Sequence, residues 1–266
     1  MSEPLTSPES WSDSASEESN GLTSLALEIR IAGQNVQFTV TLPAGPATWE
    51  HLLPFMRSLV KAGTDISQEY FAGQGKNVSC RAGCGICCRQ RVPIAEFEAH
   101  RLRRLVESMP EPRRTEIKSR FQAAEERVRA AGREVSHEYE DNVSMQEMAR
   151  RAGNYFRLMI PCPFLENESC SIYEERPLKC REYLVTSPAE NCADPEKNPV
   201  DGLPLPLRVY LTTLFLGENP ERPGIRWVPL HQLLSWTDDH APEPPVSTGP
   251  ELLHEFMSKL MQPDSQ

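Results

Sequence analysis

The residues whose types and spacing could do chemistry are cysteines. Cys80-Arg-Ala-Gly-Cys84-Gly-Ile-Cys87-Cys88 places four thiols within nine residues, with two glycines between them. Spacings of Cys-x3-Cys and Cys-x2-Cys let one tight loop aim several sulfurs at a point, which is a metal-binding arrangement. A second set, Cys162, Cys170, Cys180 and Cys192, follows at wider intervals. A closed thiolate site takes four sulfurs in tetrahedral zinc and in iron-sulfur clusters alike, so eight cysteines suffice for two sites. Neighbouring side chains diverge from the backbone, so Cys87 and Cys88 should serve different metals or bridge two. The expectation is a two-centre or polynuclear site with all eight thiols as metal ligands.

Zinc and iron are both thiophilic, so the donor type does not choose between them. The dense run combined with remote cysteines resembles cluster ligation somewhat more, which puts an iron-sulfur cluster ahead of zinc. A disulfide framework fits poorly. Eight cysteines in 266 residues is far below the roughly 8–10% of a disulfide scaffold, and a bond between Cys87 and Cys88 would be strained. The opening MSEPLTSPESWSDSASEESN shows neither a basic start nor an apolar run, so no signal peptide is visible and reduced thiols in the cytoplasm are expected.

The cysteine segments resemble the YkgJ-like cysteine-cluster family, whose members are described as zinc- or iron-chelating. The resemblance rests on CRAGCGICC, on CPFLENESCSIYEERPLKCREY, and on the trailing Cys192. It covers roughly Cys80 to Cys192, with three residues between the first two cysteines where the family pattern has two. It implies metal binding and no particular reaction.

Several other groups lie near these motifs. Arg81, Arg89 and Arg91 flank the first loop, and Arg176, Lys179 and Arg181 flank Cys180. Cations there would offset the charge of a tetrathiolate site, or, as the sharper alternative, line a pocket for an anionic substrate. Tyr173 and Tyr183 read as wall residues. His51, His100, His137, His231, His240 and His254 have no partner at ligand spacing and read as surface or core histidines. Asp238-Asp239-His240 reads as ordinary helix-end polarity. Gly-rich phosphate loops, a Ser-His-Asp set and a dinucleotide fingerprint are absent. The Cys-x3-Cys-x2-Cys run invites a radical-SAM reading, which the lack of a strand and barrel pattern argues against.

The elements that must position these residues point to a mainly α fold with a small N-terminal β-hairpin, an α+β class, around an irregular cysteine-rich core. Residues 1–22 are mostly Ser, Glu, Asp and Pro with one Trp, a composition expected to stay disordered. Within 23–75, Leu25, Leu27, Ile29 and Ile31 alternate, then Val36, Phe38, Val40 and Leu42, a hairpin turning at Gly33-Gln34-Asn35. A helix capped by Thr48 should follow and end at Gly63, with Pro54 near its start. The cysteine-cluster region, 76–200, should hold helices from Pro93 to about Met109, from Arg113 to Ala131 with a solvated charged surface, and from Ser144 to Met159. That last helix carries a Met and aromatic stripe that reads as core. Region 201–266 is a Pro-rich connection followed by C-terminal segments packing on the core. Of these, 207–216 suits helix or strand, while 230–239 and 250–261 read as helices.

Length and 39% hydrophobic content are enough for a real core without cross-links. The apolar runs fall short of the ~18 residues of a membrane-spanning helix. A formal charge of −10 works against nucleic acid or an anionic membrane as partner, since phosphate attraction needs a basic surface. A protein or small-molecule partner stays open. Two functional readings follow. One is a metal or iron-sulfur protein that carries electrons or assists a redox or modification reaction. The other is a zinc-stabilised structural or interaction protein without catalytic activity.

Overall fold

The computed structural model describes residues 10–131, 145–217, 227–245 and 247–262. Three antiparallel strands come first, in sequential order: β1 (Ser10–Ser19), β2 (Leu22–Ile31) and β3 (Gln34–Pro43). β2 and β3 are the expected hairpin, with Leu25 opposite Val40 and Ile29 opposite Val36. Leu25, Leu27, Ile29 and Ile31 are buried together with Val40 and Leu42. The turn is Ala32-Gly33, one residue earlier than anticipated. Both residues are left-handed, with φ of 47° and 77°, the twist that a two-residue hairpin turn needs.

β1 corrects the expectation of a disordered tail over its described residues; residues 1–9 lie outside them. Asn20-Gly21, at φ 54° and 74°, makes a second such turn, and Ser10 to Ser19 pair with Arg30 to Leu22. The composition of this segment offers little apolar surface, but ladder bonds belong to the backbone and do not depend on it. Trp11 anchors the strand, with its ring meeting His254 edge-on at 5.0 Å.

The chain continues through β4 (Pro46–Ala47), a 3-10 turn at Trp49–Leu52 and α1 (Leu53–Ala72). Pro54 sits in the first turn, where its missing N–H costs nothing. Gly63 does not end the helix as expected. It leaves room for Leu207, whose side chain would stand 3.6 Å from a Cβ there, and the buried Ile66 continues the apolar face beyond it. This packing outweighs the roughly 1 kcal/mol helix penalty of glycine.

Next come β5 (Pro93–Ile94), α2 (Glu96–Ser108), α3 (Arg113–Ala130), α4 (Met145–Phe156), β6 (Leu165–Glu166), β7 (Ser169–Cys170) and α5 (Leu178–Glu182). They are followed by α6 (Val209–Thr213), β8 (Val228–Pro229), α7 (Leu233–Asp239), β9 (Ser247–Thr248) and α8 (Gly249–Leu260). The helix expected from Pro93 begins only at Glu96, because Pro93 and Ile94 pair instead with Pro229 and Val228. Ser144, the expected start of α4, lies outside the described residues. α4 stops at Phe156, before Met159 takes a left-handed φ of 48°.

Two main hydrophobic bodies result. The first joins the sheet to α1 and α8, with Phe38, Phe55 and Phe256 in successive edge-to-face contacts at 5.6 and 6.1 Å. The second joins α2, α3 and α7 around Phe121 and Phe164, which meet at 5.4 Å. α3 is rich in charge and buries only the stripe Ile117, Phe121, Ala124 and Val128. The C-terminal region is shared out: α7 belongs to the second body and α8 to the first. The fold is mainly α with a small β component, as the sequence suggests. Among the described residues no helix is long and apolar enough to cross a membrane.

Glu98 connects the helical body to the cysteine-bearing region. Its buried carboxylate accepts hydrogen bonds from the Ala95 N–H (3.2 Å) and the Leu178 N–H (2.9 Å), fixing the start of α2 to the start of α5. Burial raises its pKa above the usual carboxylate range. Glu98→Ala leaves both buried N–H groups unpaired and should cost on the order of 2–4 kcal/mol in urea unfolding, whereas Glu98→Gln, which keeps an acceptor, should cost less than half of that.

Candidate metal centre

The first cysteine loop is shaped by its glycines. Gly83 takes φ of 82° and its N–H donates to Ser169 Oγ at 3.2 Å, while the Cys84 N–H closes a turn on the Arg81 carbonyl at 3.1 Å. Residues Ile86–Arg89 then form one 3-10 turn. Gly85 lies against the β6–β7 hairpin so closely that a Cβ there would stand 2.7 Å from Leu165 Cδ1 and 3.1 Å from Glu168 Cα. Arg89 grips the same hairpin, donating to both carboxylate oxygens of Glu168 at 2.9 and 2.7 Å.

The second set of cysteines comes from four separate pieces of backbone. Cys162 precedes the β6–β7 hairpin, and its N–H donates to the Cys88 carbonyl at 2.7 Å. Cys170 ends that hairpin, Cys180 lies in α5 and Cys192 lies in a 3-10 turn at Ala189–Ala193. Ser79, just before the first loop, donates its N–H to the Val185 carbonyl at 3.0 Å, which brings the Cys192 region alongside.

In space the thiols divide differently from their order in the chain. Cys80, Cys84 and Cys192 lie within electrostatic reach of one another. So do Cys162, Cys170 and Cys180. Cys87 is within reach of Cys80 and Cys192 on one side and of Cys162, Cys170 and Cys180 on the other, and it hydrogen-bonds to Cys88. Cys192 thus sides with the first loop. It is buried and the other seven are partly buried, and all eight are free thiols. Among the described residues no three Cys, His, Asp or Glu side chains already enclose a single metal-ion position.

The electrostatics suit a cation. Burial raises the pKa of Cys80, Cys162, Cys170 and Cys192 and pushes Cys180 up to about 12. Cys87 is raised first by its hydrogen bond with Cys88 and then by burial. Arg176 opposes this at Cys80, Cys87, Cys170 and Cys180. Its guanidinium lies over the Tyr173 ring at 4.2 Å, and its buried Nε–H has no hydrogen-bond partner among the described residues. An unpaired buried donor beside four thiols fits a site whose sulfurs become acceptors when metal is held. The donor set therefore fits a thiophilic metal.

The remaining flanking cations are engaged elsewhere. Arg81 pairs with Glu190 at 3.6 Å, Arg91 lies over the Trp227 ring at 4.9 Å and Lys179 over the Tyr210 ring at 5.0 Å. Arg181 donates to the Arg176 and Glu174 carbonyls. Tyr183 is a wall residue, accepting from Gln90 Nε2 at 3.1 Å close to Cys80, Cys87 and Cys192. Tyr173 is 56% exposed, so only its Arg176-facing side serves the site. Of the histidines, His51 caps Thr48, His231 is buried against Tyr155, and His254 meets Trp11 and Asp13. His137 lies outside the described residues.

Residues 79–198, which include every cysteine, match a family model named CxxCxxCC and described as "Putative zinc- or iron-chelating domain". This stretch, somewhat under half of the chain, is similar to that domain. The resemblance read from the cysteine motifs is thereby borne out. No curated protein and no solved structure matches the chain. The matched stretch begins after α1 and ends before α6, so β1 to β3, all of α1 and the C-terminal helices lie outside it. Sequence reasoning missed Glu98, Gly85 and the special place of Arg176 among the flanking cations. A Glu inside the apolar repeat of α2 was the available signal for the first; the other two depend on contacts between distant segments.

Gly85→Ala tests how closely the loop and hairpin must approach. Overpacking there should lower stability by about 1–3 kcal/mol and speed the loss of bound metal to a chelator, while Gly45→Ala, at a glycine with open space around it, should leave metal retention unchanged.

Proposed function

We propose that the matched stretch holds a polynuclear thiolate centre of the iron-sulfur type and serves a redox or modification reaction. The observation that carries this reading is the meeting of two thiol triads at Cys87 and Cys88. Cys80, Cys84 and Cys192, within electrostatic reach of one another, would make one four-thiolate set with one member of the adjacent pair. Cys162, Cys170 and Cys180 would make a second with the other member. A structural zinc ion is complete with four ligands, and two sets joined through neighbouring residues suit linked metals better than two independent staples. Arg176 would offset negative charge and direct its Nε–H at the sulfurs, and the Arg89–Glu168 pair would hold the loop in place. An iron-sulfur cluster, when bound, supplies one-electron transfer at a potential tuned by such hydrogen bonds and charges.

Anaerobic purification followed by metal and acid-labile sulfide analysis is the decisive experiment. A brown protein containing iron and sulfide, bleached reversibly by a reductant, is expected. A colourless protein containing zinc alone would overturn the redox reading in favour of a zinc-stabilised structural or interaction module.

Cys192→Ser should then lower bound metal by about half, because losing one of four thiolates weakens a closed site severely. Cys162, Cys170 and Cys180 should stay protected from iodoacetamide in that variant. Full metal content in the variant, with Cys192 readily alkylated in the native protein, would remove it from the ligand set.

A further inference from the structure

A pocket of about 240 Å³ opens between α3 and residues 160–165, the segment that carries Cys162 from α4 to β6. It is smaller than the roughly 300–1,000 Å³ of drug-sized ligand sites, so it suits a ligand of few heavy atoms. Arg120, Ala123, Ala124 and Arg127 line it from α3, at the i, i+3, i+4, i+7 spacing that gathers side chains on one helix face. Ile160, Cys162 and Leu165 line it from the other side. Among the described residues its wall holds two guanidiniums and no carboxylate, and apart from the Cys162 thiol the rest of it is apolar.

The charge on these guanidiniums is only partly met by the protein. Arg120 shares Glu166 Oε1 with Arg113, each at 2.6 Å, so one carboxylate serves two cations. Arg127 donates through Nη2 to the Leu158 carbonyl at 2.9 Å, and no carboxylate among the described residues pairs with it. Three guanidiniums thus stand against one carboxylate, in a chain whose formal charge is −10. The Arg120 bond to the Pro163 carbonyl, at 3.3 Å, and the Arg127 bond to Leu158 tie both side chains to the segment around Cys162. A guanidinium carries five donors, and these contacts engage only Nη1 of Arg120 and Nη2 of Arg127, which leaves N–H groups on both for a ligand. Surplus positive charge over an apolar wall selects against a cation and against a neutral polar molecule. It selects for an anion with a small hydrocarbon body, and a short-chain carboxylate has both features.

We propose that this pocket binds a short-chain carboxylate, its charge met by Arg127 and Arg120 and its hydrocarbon lying against Ile160 and Leu165. Cys162 belongs to the same wall, so the ligand sits beside the second thiol set. Its use there as a substrate rests on the reading of the thiol nest as a reactive centre, whereas its binding does not. The same chemistry is offered by a free aliphatic acid and by the C-terminal carboxylate of a partner protein.

The test is calorimetric titration of the full-length, metal-replete protein with isovalerate. Saturable binding is expected, and 3-methylbutanol and 3-methylbutylammonium should give none. Arg127→Gln should weaken isovalerate binding about tenfold. Ala123→Leu, which keeps both guanidiniums and fills the pocket from an exposed helix position, should abolish it. Both variants should keep the circular dichroism and metal content of the native protein. A peptide ending in a free valine carboxylate tells the sources apart: tighter binding than isovalerate assigns the pocket to a partner's C-terminus, and equal or weaker binding assigns it to a free acid. The proposal is overturned by 3-methylbutanol binding as tightly as isovalerate, by unchanged affinity in either variant, or by no saturable heat below about 50 mM isovalerate. The heat reports the carboxylate and not the metal. A zinc-only protein that binds isovalerate refutes the redox reading and leaves the pocket standing, and an iron-sulfur protein that does not bind it does the reverse.

Discussion

Sulfurs gathered at one place repel one another once ionised, and burial adds to the cost of each charge. Protonated thiols avoid that cost but attract one another only weakly, so the backbone around the eight must impose their arrangement. The short bond from the Cys162 N–H to the Cys88 carbonyl is the central link, since it ties the first loop to the second set at the pair where the two triads meet. The Gly83 N–H to Ser169, the Arg89 clasp on Glu168 and the Ser79 bond to Val185 extend the same principle around the loop. None of these contacts uses sulfur. Metal binding then exchanges protons for cations on an arrangement that is already roughly in place.

How much of this could be read from the sequence depends on the range of the interaction involved. The β2–β3 hairpin, α3, α7 and α8 follow from local periodicity and turn chemistry, and the sequence located them well. The cysteines were identifiable as a cooperating set because their side-chain chemistry leaves few alternatives. What local reasoning misjudged was set by distant partners. Gly63 stays helical because Leu207 packs beside it, Pro93 and Ile94 leave the helix to pair with Val228 and Pro229, and Ser10 to Ser19 are ordered by the ladder of β2. In each case a residue type with a strong local tendency meets a backbone or side chain far away in the chain.

The same reasoning explains why the grouping of the cysteines differs from their order in the chain. Counting along the chain gives Cys80 to Cys88 as one set and Cys162 to Cys192 as the other. The 3-10 turn holding Cys192 packs instead near the turn holding Cys87 and Cys88, because the strand-like segment at Val185 returns to Ser79. Cys192 is carried back to the first loop by backbone pairing, a long-range fact without any signature in the residues next to it.

The helical body supports this arrangement through polar contacts as well as apolar ones. α2 alone carries three of them. Glu98 reaches the N-terminus of α5 and so helps place Cys180, Arg101 shares the Glu175 carboxylate with Arg57 of α1, and Arg103 holds Asp238 at the end of α7. A buried carboxylate is a costly way to join two helices unless it satisfies donors that would otherwise be left unpaired, and Glu98 does so at both ends. The placement of Cys180 then depends on a group that belongs to neither hydrophobic body, which is why the cysteine-rich region can stay irregular in backbone and still hold its thiols in register.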